Sequence, residues 1–250
     1  MKKKMMNDMG SYIKSLLKGY VFAPIDNPVL HEGKPVGILL DPGHGFHTHM
    51  KPSDGKHAPD KSLYEGDWNR EIVAQLVPEL RAIGFDARVL VEEDQDVSIS
   101  DRAERANRIQ ATESGGYWIY LSIHINASPR KNCDKDGWDD KASGFCAYCS
   151  RKGSKASRAL AKAFVQLARS KDFGLAGNRS LPAEGYWQAD FTVITKSRMP
   201  AVLTESLFMT NRKELAFLKS EHGKEIIVNL HAAALCRSFG VPYALKTSTR

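Results

Sequence analysis

A three-layer α/β fold is what this sequence predicts: a mostly parallel sheet of about six strands with helices on both faces. Short apolar runs alternate along the chain with segments whose apolar residues recur at helical spacing. VGILLD (36–41), the first such run, is apolar without alternation, as in a strand covered on both faces. A chain of 250 residues, 42% of them hydrophobic, is also long enough to bury one full core.

The elements follow in order. Residues 1–34 read as an appendage, in which Met5, Met6, Met9, Ile13, Leu16, Leu17 and Tyr20 recur at helical spacing with lysines elsewhere on the wheel. A helix docked on the main domain is expected there, with a basic membrane-surface helix or disorder as the alternatives. Pro24, Pro28, Gly33 and Pro35 punctuate the chain before the first strand. Trp68, Ile72, Leu76, Leu80 and Ile83 form a helical stripe that stops before Gly84. FDARVLV (85–91) reads as a strand, and a helix over roughly 99–111 starts after Ser98 or Ser100 as N-cap. YWIYLSIH (117–124) and SGFCAYCS (143–150) read as strands. Ala159, Leu160, Ala163, Phe164 and Leu167 mark a helix opened by Ser154. FTVIT (191–195) and AVLTES (201–206) read as the last strands, and helices around 211–219 and 221–238 close the chain. The main domain is taken as 35–240, with a tail over 241–250.

Composition narrows the partners. A net charge of +7 and a pI near 9.2 favour an anionic partner: nucleic acid, lipid headgroups or acidic wall polymers. Basic residues are spread throughout without a nucleic-acid-binding signature, so no nucleic acid is expected. No apolar stretch approaches the roughly 20 residues that cross a bilayer. The opening MKKKMMNDMGSYIKSLLKGY lacks a continuous apolar core, so no Sec-type signal is expected, and action outside a cell requires release or another route of export. Cys146 and Cys149 make one C-x-x-C without a second pair, and with Cys133 and Cys236 they read as free thiols. Oligomeric state is left open.

Chemistry concentrates where strands end and a helix begins. VGILLDPGH closes on His44, WIYLSIHIN carries His124, AVLTESLF carries Glu205, and Glu65 opens the helix EGDWNREIVAQLVPEL. In an open α/β sheet, the carboxyl ends of strands and the amino ends of helices line one crevice. Two imidazoles and one carboxylate make a zinc set with an open position, leaving a second carboxylate to handle protons. Each residue alone has a plainer reading, as a turn histidine, a strand-end histidine or a helix-start carboxylate. Glu205 is hardest to explain so, because a carboxylate ending a buried strand needs a partner. The polar loops 46–64 and 127–142 follow the two histidines, and such loops shape substrate grooves.

Several motifs occur in order: DPGHG, E-x-x-x-N (Glu65 to Asn69), R-x-x-x-A-N (Arg102 to Asn107), SIHIN, SGF (Ser143 to Phe145) and MPAVLTESLFMTN (Met199 to Asn211). Over about residues 36–238 the chain resembles the zinc-dependent N-acetylmuramoyl-L-alanine amidases, which cleave peptidoglycan and include phage endolysins. The resemblance implies a twisted sheet between helices, one Zn2+ held by His44, Glu65 and His124, and Glu205 as catalytic glutamate. It implies the peptidoglycan stem peptide and glycan as partners and the muramoyl–L-alanine amide as substrate. Asn69, Asn107, Asn126 and Arg179 are candidate substrate or supporting residues. Another zinc amidohydrolase or peptidase activity, or a silent wall-binding module, are the alternatives. Two departures stand out. The loop between His44 and Glu65 is long and holds His47, His49 and His57, which are alternative ligands, and Ser206 stands where the family usually has glycine.

Overall fold

The computed structural model describes residues 25–49 and 56–245. The helix expected over residues 5–20 lies outside the described residues. Seven strands are present among them: β1 (Leu30–His31), β2 (Lys34–Pro42), β3 (Asp86–Val89), β4 (Tyr117–Asn126), β5 (Cys146–Cys149), β6 (Trp187–Gln188) and β7 (Ala201–Phe208). Six helices accompany them: α1 (Glu65–Ile83), α2 (Ile99–Thr112), α3 (Lys155–Ala168), α4 (Thr192–Lys196), α5 (Arg212–Lys219) and α6 (Glu221–Ser238).

The sheet is mixed. β3, β2, β4 and β7 lie side by side and parallel. β5 joins β7 antiparallel, and β6 extends β5 in parallel. β1 pairs antiparallel with the first residues of β2 on the edge that β3 continues. Residues 29–31 are thereby tied to the main sheet; Val29 also donates its N–H to the Gly84 carbonyl at 2.8 Å. At the other end, Tyr243 donates its hydroxyl to Asn229 Oδ1 at 2.7 Å.

The uniform apolar runs are buried on both faces, as their pattern requires. Ile38, Leu40, Leu121 and Ile123 pack with Ile72, Leu76, Phe164 and Leu230, under α1, α3 and α6. Leu39, Tyr120 and Leu203 pack on the other face with Ala106, Val193 and Ile194, under α2 and α4. Fully burying side chains of this size stabilises the fold by about 1.5–3 kcal/mol each. Ser98, Ser154 and Ser220 cap α2, α3 and α6 by accepting backbone N–H groups from the first turn.

One expected strand is absent. FTVIT forms the short helix α4, whose Val193 and Ile194 cover the α2 face of the sheet. A five-residue apolar run fits one helical turn as readily as a strand, and packing decides between them. The outer strand position next to β5 belongs instead to Trp187–Gln188.

His231, on α6, is fully buried between Phe145 and Phe164. Its Nδ1 donates to the Ile227 carbonyl at 2.7 Å, which leaves Nε2 to accept from the Thr204 hydroxyl at 2.9 Å. Burial pulls its pKa from 6.5 down to about 4. The unfolded chain therefore takes up this proton near pH 6.5, and the folded chain only near pH 4. The stability contribution is complete above pH 6.5 and is lost as pH falls towards 4, by about 3 kcal/mol in total. Denaturant unfolding of His231→Gln is expected to lose that part of the pH slope; an unchanged slope would count against a neutral buried imidazole.

Candidate active site

The carboxyl end of β2 leads into a tight turn that places His44. Gly43 is required by a close approach: a Cβ there would lie 2.1 Å from the nearest atom of the His124 ring. Its N–H donates to the Ile123 carbonyl at 3.0 Å. His44 has φ 64°, a left-handed conformation that costs a non-glycine residue about 1–2 kcal/mol. The carbonyl of this strained residue accepts from two guanidinium groups, Arg70 Nη1 at 2.7 Å and Arg102 Nη2 at 3.1 Å. The turn therefore keeps its strain because two buried cations over-determine it.

Arg102 is itself anchored. It donates to the Pro42 carbonyl at 2.8 Å and pairs with Asp41 at 2.5 Å, both groups almost wholly buried. Tyr120 and Ser122 donate their hydroxyls to the other Asp41 oxygen. Burial opposes the charge on Asp41, but the Arg102 guanidinium and these donors hold its carboxyl below the usual range.

Helix α1 brings Glu65 in from the other side. A Cβ at Gly66 would lie 1.9 Å from the Gly45 carbonyl oxygen, so the helix start fits against the turn only without a side chain. Glu65 is buried, and its Oε1 accepts the Ile125 N–H at 3.2 Å. The same oxygen stands 3.0 Å from His124 Nδ1, while Oε2 stands 3.3 Å from His44 Nε2. Burial disfavours this carboxylate, yet the imidazoles of His124 and His44 hold it well below the usual range.

His124 and Glu205 are direct neighbours in the parallel β4–β7 pair and so project from one face. Just beyond them the register shifts, and Leu207 takes φ 66°. Glu205 is half-buried, but its Oε2 is shut off from solvent and has no hydrogen-bond partner among the described residues. Burial, and then the negative charge of Glu65, push its carboxyl well above the usual range. The Ser206 hydroxyl is likewise buried without a partner.

His44, Glu65 and His124 each offer a ligand atom, all within 4.8 Å of one another. Bonds of about 2.0–2.1 Å in tetrahedral geometry put neighbouring donors about 3.3 Å apart. Each imidazole nitrogen stands close to that spacing from one Glu65 oxygen, His44 Nε2 at 3.3 Å from Oε2 and His124 Nδ1 at 3.0 Å from Oε1. Two imidazole nitrogens and one carboxylate suit zinc and leave a fourth position open.

The other candidates divide. Asn69 donates to the Gly43 carbonyl at 3.0 Å and so supports the turn. Asn126 bends back to accept the Ala127 N–H at 2.9 Å. Asn107 bonds Lys196 and Arg198 where the chain enters β7, away from the strand ends that carry the site. Arg179 Nη1 contacts Cys146 Sγ at 3.1 Å and the Tyr148 hydroxyl at 2.6 Å. His47 pairs with Asp67 and stacks on Tyr64, His57 donates to the Ala58 carbonyl, and His49 is exposed. None of these three histidines belongs to the ligand group among the described residues. Sequence reasoning missed Asp41 and Arg70. The signal was available for Asp41: a carboxylate closing the apolar run VGILLD needs a buried partner as much as Glu205 does.

Gly43→Ala is expected to displace the His124 ring. Supporting-shell changes typically weaken metal binding 10–100-fold, and zinc titration by calorimetry would detect such a loss. Unchanged affinity would mean that the ring does not need this approach.

The family model for N-acetylmuramoyl-L-alanine amidase matches residues 38–237. The chain belongs to that family. An endolysin of Bacillus phage SPP1 is 28% identical over 209 residues, covering 79% of this chain and 64% of the endolysin. N-acetylmuramoyl-L-alanine amidase LytC of Bacillus subtilis (strain 168) is 28% identical over 195 residues, covering 78% of this chain and 33% of LytC. The chain thus spans less than two thirds of either relative. Among solved structures, the N-acetylmuramyl-L-alanine amidase Ami1 from Mycobacterium smegmatis superposes with a TM-score of 0.66 at 19% identity. That match covers 86% of this chain and 99% of Ami1. The amidase from Clostridium difficile 630 gives 0.63 at 22% identity, covering 82% and 97%. The mixed sheet and its flanking helices are those of the amidase family. No helix among the described residues is long and apolar enough to cross a membrane.

Proposed function

We propose that this chain is a zinc-dependent hydrolase of the amide between the lactyl group of N-acetylmuramic acid and L-alanine of the peptidoglycan stem, acting in wall lysis or remodelling. The observation that carries this reading is the unpartnered Glu205 carboxyl beside a buried His–Glu–His donor set. Residues 35–240 are the proposed catalytic unit, with the wall as partner. The likeness to a phage endolysin and to the N-acetylmuramoyl-L-alanine amidase LytC supports this reading.

Zn2+ would be held by His44, Glu65 and His124, and when bound supplies a Lewis acid that activates water and polarises the acyl oxygen. Glu205 takes the proton from the attacking water as the new carbon–oxygen bond forms. It delivers that proton to the alanine nitrogen as the carbon–nitrogen bond breaks. The products are a lactyl carboxyl group and a stem peptide with a free amino terminus. Glu65, one of the residues that would hold the metal, is not free to compete for the proton. Arg70 and Arg102 act at one remove, keeping His44 in its left-handed turn.

The test is a digest of purified muropeptides with and without a zinc chelator. Free lactyl-muramoyl glycan and L-alanine-terminated peptides are expected, and both are expected to vanish with chelator. Cleavage at another amide, or full activity in chelator, would overturn the reading.

A further inference from the structure

Arg179 is a half-buried cation close enough to Glu205 for their charges to interact. It makes no ion pair within 4 Å among the described residues, and its hydrogen bonds there run from Nη1 to Cys146 Sγ and the Tyr148 hydroxyl. The guanidinium lies over the Trp187 ring, 5.2 Å from its centroid, and 6.0 Å from that of Tyr148. Aromatic backing of this kind fixes a guanidinium and strips part of its hydration. The Nε and Nη2 edge makes no hydrogen bond among the described residues and is not shut off from solvent. A planar pair of N–H donors is the geometry that matches a carboxylate.

Its position relative to the reacting atoms follows from strand register. Cys146 stands directly opposite Glu205 in the antiparallel β5–β7 pair. Directly opposed residues share a face with Cβ atoms about 4.5–5.5 Å apart. Through its contact with Cys146, the guanidinium is therefore placed about one residue's length from Glu205.

We infer that Arg179 is a specificity-determining residue that binds the free α-carboxylate of the second stem residue, the one joined to L-alanine. The inference rests on the amidase reading above. In that substrate, L-alanine is followed by a D-glutamyl residue linked through its side chain, whose α-carboxyl is either free or amidated. That group is the first carboxylate on the amine side of the scissile bond. One extended residue spans about 3.3–3.6 Å, so it falls within reach of a cation one residue from Glu205. An amidated stem would leave the guanidinium facing a neutral carboxamide, and buried or partly buried polar groups left badly matched discriminate strongly.

The experiment compares two disaccharide tripeptides that differ only in a carboxylate or a carboxamide at that α-position. The wild-type chain is expected to cleave the carboxylate form with kcat/KM at least about tenfold higher, most of it in KM. Arg179→Gln is expected to bring the ratio near one, and Arg179→Lys to restore part of it. A purely structural role, or one exerted through Glu205, would lower both substrates alike and leave the ratio unchanged; that result overturns the inference. Equal wild-type rates on the two forms also overturn it while leaving the amidase reading intact. Failure of the wild-type chain to cleave either form overturns the amidase reading itself.

Discussion

Glu205→Gln is expected to lower muramoyl–L-alanine hydrolysis by about 10²–10⁴-fold while one equivalent of zinc stays bound. The substitution keeps the size and shape of the side chain but removes its ability to accept the water proton. It leaves the donor set of His44, Glu65 and His124 untouched, since Glu205 is not among those ligand atoms. A second consequence follows from the same geometry. In the wild-type chain the Glu205 carboxyl has one oxygen shut off from solvent without a partner among the described residues and feels the negative charge of Glu65, an arrangement that costs stability. The neutral amide relieves that repulsion, so the metal-free variant is expected to unfold at a higher temperature than the wild type. Such an opposition between stability and activity is characteristic of catalytic groups. Initial rates on muropeptides, zinc content and a thermal melt test all three points. Near wild-type turnover would remove Glu205 from the chemistry.

His124→Ala is expected to abolish stoichiometric zinc, with affinity reduced beyond the 10–100-fold typical of supporting-shell changes. The ring supplies a nitrogen 3.0 Å from Glu65 Oε1, and its loss leaves that oxygen with the Ile125 N–H alone. His44→Ala removes the nitrogen facing Glu65 Oε2 and is expected to behave alike. His47→Ala is the informative contrast. That imidazole is engaged by Asp67 and stacked on Tyr64, so zinc binding is expected to persist without it. Loss of metal in His47→Ala, with retention in His44→Ala, would move the site into the loop. Metal content after dialysis against a weak chelator reads the outcome directly.

The parts of this architecture that were legible beforehand share one property: they are written in local pattern. The unbroken apolar run at 36–41, the stripe Trp68–Ile72–Leu76–Leu80 and the caps Ser98 and Ser154 each state their own conformation within a few residues. FTVIT does not, because five apolar residues satisfy a helical turn and a strand equally, and the α2 face of the sheet made the choice. The reversed direction of β5 against β7 is equally silent in the sequence, since apolar alternation carries no sign of strand direction. Asn107 illustrates the converse. Its motif shares a helix with Arg102, yet only Arg102 reaches the turn, while Asn107 ties α2 to the segment before β7.

By itself, the order of motifs determined the family, the layered α/β architecture and the shortlist of groups able to bind metal or carry protons. Those are properties of residue type and spacing, which local sterics and burial enforce. Tertiary structure alone decided that His44 is held in a left-handed turn by Arg70 and Arg102, and that Arg179 Nη1 meets Cys146 and Tyr148. It also decided that Glu205 lies opposite Cys146 with an unpartnered oxygen. Such facts depend on distances between residues tens of positions apart, which are set only when the strands take their register and the helices dock.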